Sequence, residues 1–230
     1  MRLPVLGGTR FVGRAVVAEA LHRGWSVTAV HRGLTGALPA GVEARYADRS
    51  DASALDAALA GGQWDAVVDT WSGAPRVATL AARLLRGRAG HHGYISSASV
   101  YRPGQSAAES SPVVDGDPDA TEGDYPAIKR GAELGILASF PDALLARPGL
   151  ILGPGEDIGR LPWWLARAAA GGEDGGAGGA GSSAAVRGRP RPGRVAAQCP
   201  DQWPYRPGGC DQPLGSRDHA ELPSGLPGRH

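Results

Sequence analysis

The chain is expected to fold as an α/β protein built on a doubly wound parallel sheet, and three observations predict it. A short apolar run at the N-terminus leads directly into a glycine-rich turn and then into a helix-patterned segment. Strand-type and helix-type runs then alternate with short connections as far as Arg147. One of the strand-type runs contains Ala66-Val67-Val68, apolar at consecutive positions, as a parallel strand covered on both faces must be. Repeated βα alternation leaves the strands parallel, with the helices shared between the two faces of the sheet.

In chain order, Arg2-Leu3-Pro4-Val5-Leu6 reads as the first strand. Val12, Val16, Val17, Ala20 and Leu21 then recur at helical spacing. Ser26 to His31 is the second strand, Val42 to Tyr46 the third, and Ala54 to Ala60 a short alanine-rich helix. Trp64 to Thr70 is the fourth strand. Pro75 opens a helix through Leu80, Leu84 and Leu85, since a first-turn residue has no use for an N–H. His92 to Ser97 is the fifth strand, Asp124 to Phe140 a helix, and Ala143 to Arg147 the sixth strand. Leu161 to Ala170 has a last helical pattern, in which Trp163-Trp164 are expected to pack the start of a lid or substrate lobe.

Composition narrows the function classes. A chain of 230 residues buries one good core and part of a second lobe. A net charge of +1 with dispersed arginines leaves no basic footprint for nucleic acid. No apolar run reaches membrane-spanning length, and the first one serves better as a strand than as a signal peptide. Cys199 and Cys210 lack companions at metal-ligand spacing, so neither zinc nor a structural disulfide is expected. His91 and His92 are expected to precede the fifth strand and to face solvent or cap it. A cytoplasmic protein with a small-molecule substrate follows, with a homodimer left open.

Two motifs carry chemistry. Gly7-Gly8-Thr9-Arg10-Phe11-Val12-Gly13 stands between strand and helix, the context that a dinucleotide fingerprint requires. Glycines let the backbone approach a pyrophosphate, and the helix N-terminus offers free N–H groups and a positive dipole end. The second is Tyr125-Pro126-Ala127-Ile128-Lys129, whose lysine is the only one in the chain. Residues four apart share a helix face, so the phenol and the ammonium point the same way. A compact ammonium fits beside a phenol and a ribose where a planar guanidinium does not. After the second strand, Val30-His31-Arg32-Gly33 has an arginine and no carboxylate. Arg32, with Arg10, is expected to pair with a 2′-phosphate, which favours NADP(H) and leaves NAD(H) as the alternative. The plainer reading of Arg32 is a solvated loop charge.

Four segments occur in a telling order: the glycine turn, Ser97-Ala98-Ser99-Val100-Tyr101, Tyr125-x-x-x-Lys129, and Arg147-Pro148-Gly149-Leu150-Ile151-Leu152-Gly153-Pro154. Together they resemble the NAD(P)-dependent epimerase/dehydratase family, the extended or atypical short-chain dehydrogenases/reductases, over roughly Met1 to Gly172. Arg10 departs from the pattern, because many extended members have a glycine there. The resemblance implies a Rossmann-like fold and a Ser97, Tyr125, Lys129 catalytic set. In it Tyr125 exchanges a proton, Ser97 hydrogen-bonds the reacting oxygen, and Lys129 also reaches the nicotinamide ribose. It further implies that Asp48 contacts adenine and that Pro148 lies beside the nicotinamide. Read without the resemblance, Asp48 is an ordinary capping aspartate, Tyr125 a helix-start aromatic, and the serines a plain strand end. Ser96 and Ser99 are weaker candidates than Ser97, because side chains alternate along a strand. Asp69, Thr70 and Trp71 end the fourth strand at the crevice edge, where a cofactor contact is plausible.

The pattern breaks after Gly172. From Glu173 to His230 glycine, proline, arginine and serine dominate, and the only aliphatic residues larger than alanine are Val186, Val195, Leu214, Leu222 and Leu226. Such a stretch buries too little apolar surface to offset its ordering entropy. The expected division is therefore a nucleotide-binding domain over 1–172 and a disordered segment over 173–230. That segment is either a natural tail or the product of a reading-frame change near Gly172. Two functions stay open: an NADP(H)-dependent oxidoreductase or epimerase, and a non-catalytic nucleotide-binding protein or inactive remnant.

Overall fold

The computed structural model describes residues 1–104, 108–156 and 159–170. The expectations for Glu173 to His230, including Cys199 and Cys210, lie outside these residues. Within them the order is β1 (Arg2–Leu6), α1 (Phe11–His22), β2 (Ser26–His31), β3 (Val42–Tyr46), α2 (Ala52–Leu59), β4 (Trp64–Asp69) and α3 (Pro75–Leu85). Then come β5 (Ala89–Ile95), a 3-10 turn (Ala98–Val100), α4 (Tyr125–Leu137), β6 (Leu144–Ala146) and α5 (Arg160–Ala170).

The six strands form one sheet in the order β3-β2-β1-β4-β5-β6, and each neighbouring pair is parallel. The order reverses between β1 and β4, which opens a crevice beyond the C-terminal ends of those strands, where ligands of open α/β sheets bind. Alternation along the strands divides the core. Leu3, Val5 and Val27 pack with Val17 and Ala20 of α1. Leu6, Val30 and Val67 pack with Leu55 and Leu59 of α2 and Ala81 and Leu85 of α3. A third cluster joins Ala78 and Ala82 of α3, Tyr94 of β5, and Ala132 and Ile136 of α4. The helices α3 and α4 meet at small residues, and a Cβ at Gly135 would run into the Thr79 side chain.

Most boundaries shift by a residue or two from the expected ones, where a cap decides them. Helix α2 starts at Ala52 because the Asp51 carboxylate accepts from the N–H groups of Ser53 and Ala54. Asp124 caps α4 in the same way, accepting from Ala127 N at 2.9 Å. The larger correction concerns β5. It begins at Ala89, in register with Trp64, so both histidines lie inside the strand. His91 is exposed, while His92 points inward and is buried beside Phe140, contrary to its expected solvent-facing place. The segment Ala89-Gly90-His91-His92-Gly93 carries no alternation of hydrophobicity, so only the pairing with β4 reveals its register. Among the described residues no helix is long and apolar enough to cross a membrane.

Candidate functional site

The turn after β1 is built so that only glycine fits. Gly7 and Gly8 have φ of +123° and +97°, a region that side chains disfavour. A Cβ at Gly13 would lie 2.6 Å from the Gly8 nitrogen, so α1 rests directly on the turn. Arg10 is the N-cap of α1 and supplies no side-chain cap, which leaves the first N–H groups of the helix without that partner.

A cavity of about 400 Å³ lies against this turn. Its walls include Gly7, Gly8, Thr9, Arg10, Phe11, Val12 and Gly13, the end of β2 at His31 and Arg32, and Asp48 to Ser50 after β3. Thr70 and Trp71 close the β4 side. The structure therefore brings the glycine motif, Arg32 and Asp48 to one cavity. Thr35 folds back over the turn, with its hydroxyl 2.9 Å from that of Thr9. Arg32 is exposed, and its charge helps to hold the exposed Asp48 carboxyl below the usual range, after the hydrogen bonds from Ser50. His31 accepts from Gly33 N through Nδ1 at 3.0 Å, and burial lowers its pKa.

Lys129 and Tyr125 sit one turn apart on α4, yet in different surroundings. Tyr125 is 50% exposed and Lys129 only 2%. The ammonium lies 5.9 Å from the Tyr125 ring centroid. It donates to the carbonyl oxygens of Trp71 at 2.7 Å and Ile95 at 2.8 Å, and to the Tyr94 hydroxyl at 3.3 Å. Burial pulls its pKa down to about 8, against the upward pull of Asp69 and then Glu133. Trp71 thus touches both the cavity and the lysine.

Ser97 caps the 3-10 turn, accepting from Ser99 N at 3.2 Å and from Ser99 Oγ at 2.9 Å. The Pro148 carbonyl accepts from Ala98 N at 2.8 Å, which sets the Pro148 segment beside the serine turn. Ser96 is consumed elsewhere, donating to Glu133 at 2.6 Å.

Glu133 and Arg49, which sequence reasoning passed over, organise this side together with Asp69. Glu133 has 0% exposure and accepts from both Arg147 Nε and Nη2 at 2.8 Å, from Arg130 at 3.0 Å, and from Ser96. Burial pushes Glu133 up, but those donors outweigh it and hold the carboxyl below its usual range. Asp69 and Arg49 form the second buried pair, at 2.8 and 2.6 Å. Burial likewise opposes Asp69 ionisation, and Arg49 overrides it. Asp69 is therefore committed to Arg49 and does not line the cavity, unlike Thr70 and Trp71. The signal for Glu133 is its place four residues after Lys129, among Gly131, Ala132, Gly135 and Ile136 on an otherwise apolar face. Trp163 and Trp164 of α5 pack edge to face at 4.8 Å and are both exposed. Among the described residues no group of histidine, cysteine or carboxylate side chains is arranged to hold a metal.

The same fold recurs among known proteins. Residues 3–184 match the family described as NAD dependent epimerase/dehydratase. No curated protein matches the chain. Among solved structures, the Bordetella bronchiseptica enzyme WbmG in complex with NAD is 21% identical, with a TM-score of 0.59 over 74% of this chain and 60% of that one. UDP-glucose 4-epimerase from Thermus thermophilus, also with NAD, is 22% identical, with a TM-score of 0.56 over 68% and 58%. WbmH from Bordetella bronchiseptica in complex with NAD+ is 18% identical, with a TM-score of 0.60 over 74% and 62%. At these identities the likeness is one of fold, and the chain spans about three fifths of each structure's length.

Proposed function

This chain belongs to the NAD dependent epimerase/dehydratase family, and on that premise we propose that it is an NADP(H)-dependent oxidoreductase or epimerase acting on a hydroxyl or carbonyl carbon of a small molecule. The observation that carries the reading is the placement of the only lysine, buried at the strand ends with its ammonium 5.9 Å from the Tyr125 ring.

The cavity suits a dinucleotide, because Gly7, Gly8 and Gly13 let the turn close tightly onto α1, whose first residues line the cavity and offer N–H donors to a pyrophosphate. Thr9, Arg10, Phe11 and Val12 complete that wall. Arg32 binds the 2′-phosphate, Asp48 meets the adenine, and Pro148 lies beside the nicotinamide. When bound, the cofactor supplies hydride exchange at the reacting carbon. Tyr125 exchanges a proton with the substrate oxygen, and Ser97 hydrogen-bonds that oxygen as charge develops on it. Lys129 supplies a fixed positive charge behind the phenol and a contact to the nicotinamide ribose. Residues 1–172 form the nucleotide-binding domain in this reading. A small-molecule substrate, a homodimer and a cytoplasmic setting complete it.

Turnover of a carbonyl panel with NADPH is the test. Tyr125→Phe abolishes turnover and keeps NADPH binding; full activity in that variant removes Tyr125 from the chemistry. NADPH binds more tightly than NADH, and Arg32→Ala narrows the gap by about 1.5–3 kcal/mol, the worth of one charge-assisted pair. Equal affinities in the parent protein contradict the 2′-phosphate assignment.

A non-catalytic nucleotide-binding protein is the second reading. It is favoured by one observation: the three N–H bonds of Lys129 already have partners in Trp71, Tyr94 and Ile95. NADPH binding without turnover of any carbonyl would select it.

A further inference from the structure

Behind the glycine cavity lies a charge pair that the proposed chemistry does not use. Asp69, the last residue of β4, is fully buried and holds Arg49 through two parallel bonds of 2.8 and 2.6 Å. Its Oδ1 also accepts from Trp71 N at 2.8 Å. The Arg49 guanidinium lies over the Trp71 ring, 5.0 Å from its centroid, and the indole Nε1 donates to Ala74 O at 2.9 Å. Residue 71 is thus held at its N–H and its ring, while its carbonyl accepts both the Lys129 ammonium at 2.7 Å and the Tyr94 hydroxyl at 3.0 Å.

We propose that Asp69, paired with Arg49, is a positioning residue for Lys129: it fixes the backbone of Trp71, whose carbonyl receives the ammonium. The inference rests on the reading of Lys129 as part of the site. Asp69 touches neither the reacting atoms nor the cofactor and acts through Trp71. A buried ion pair seldom stabilises more than apolar residues of the same volume, so stability alone gives little reason for a pair at this position. The pair also sits where its charge is felt. Asp69 and Arg49 reach Lys129 from the strand side, Tyr94 from β5, and Tyr125 and Glu133 from its own helix, with Arg147 and Arg130 neutralising Glu133. Burial lowers the lysine pKa to about 8; Asp69 opposes this most, Glu133 next, and Arg49 adds a smaller downward push.

Labelling lysine with 13C at Cε gives a single side-chain resonance, because the chain has one lysine. Its titration midpoint is read on the whole chain without cofactor, so loss of nucleotide binding or turnover bears on the proposed function alone. Asp69→Asn lowers the midpoint by about one pH unit, the size expected when a nearby opposite charge is removed. Asp65→Asn, exposed on the same strand, leaves it in place. If Asp69→Asn does not fold, because the Arg49 cation is then buried without a partner, the double variant Asp69→Asn/Arg49→Met removes both charges. It still lowers the midpoint, since the pull of Asp69 exceeds the push of Arg49. A folded variant of either kind with the parent midpoint overturns the proposal.

Discussion

Around β1 and α1 the cavity wall is made largely of backbone: two glycines at positive φ, a third pressed against the second of them, and the first turn of α1. Around β4, β5 and α4 lie instead charges withdrawn from water, each matched by a partner. Asp69 has Arg49, Glu133 has Arg147 and Arg130, and Lys129 has two carbonyls and a hydroxyl. The first region needs shape, and any side chain spoils it. The second needs neutralisation, and any missing partner spoils it. A cavity that binds the phosphates of a nucleotide uses the first device. A site that must hold a buried cation beside a phenol uses the second.

The comparison breaks most visibly at Glu133. Replacing it with alanine removes the common partner of Arg147, Arg130 and Ser96, leaving two half-buried guanidinium groups without their carboxylate, and costs about 3 kcal/mol, the low end for breaking a buried pair. Urea unfolding of Glu133→Ala measures it; a loss under about 1 kcal/mol, the range of an exposed pair, would mean that water replaces the carboxylate.

Acid tests the same region without mutation. Asp69 and Glu133 are held below their ordinary values in the folded chain, so the folded state binds fewer protons than the unfolded one as pH falls through the carboxylate range. The stability they confer is present above the unfolded values of 3.8 and 4.5 and is lost as pH falls through the folded ones. His92 acts earlier with the same sign: burial lowers it, so below its ordinary 6.5 the unfolded imidazole gains a proton that the folded one refuses. The urea midpoint therefore declines first as pH drops below the histidine range and again in the carboxylate range. A flat profile from pH 7 to 4 contradicts the burial of these groups.

A smaller effect belongs to the backbone region. Gly13→Ala places a Cβ 2.6 Å from the Gly8 nitrogen and displaces α1 from the turn. The expected stability cost is about 1–3 kcal/mol, as for other overpacked contacts. Nucleotide affinity falls more than stability, because the displaced atoms form the pocket floor. Unchanged NADPH affinity in a stable Gly13→Ala protein would show that the ligand does not rest on this turn.

The two regions were not equally legible in the sequence. Glycines needed for backbone shape stand out, since Gly7 and Gly8 occupy the turn between β1 and α1 and Gly13 opens a helix whose apolar period is clear; β1 and α1 were readable for that reason. Gly7, Gly8 and Gly13 share one cavity with Arg32, read from its place after β2, and with Asp48, read from the family resemblance. Buried charge was not readable in this way. Arg49 and Glu133 look like solvated residues, and Asp69 like a crevice-edge contact, until the fold supplies partners from 20 positions away for Asp69 and 14 for Glu133. His92 misled for the same reason, because β5 has no alternation to show which face is inward. Lys129 was noticed through its uniqueness among arginines, while its burial and its carbonyl partners depend on the packing of α4 onto β4 and β5.

Whether these unlike regions serve one site is the central claim, and one measurement addresses it. NADPH is added to protein carrying 13Cε-lysine while nucleotide fluorescence reports saturation. A cofactor that occupies the glycine cavity and extends to the nicotinamide end changes the surroundings of Lys129, so the single resonance shifts in step with the fluorescence. Saturable NADPH binding that leaves the lysine resonance and its midpoint where they were would contradict the account, because the cavity and Lys129 would then belong to different sites.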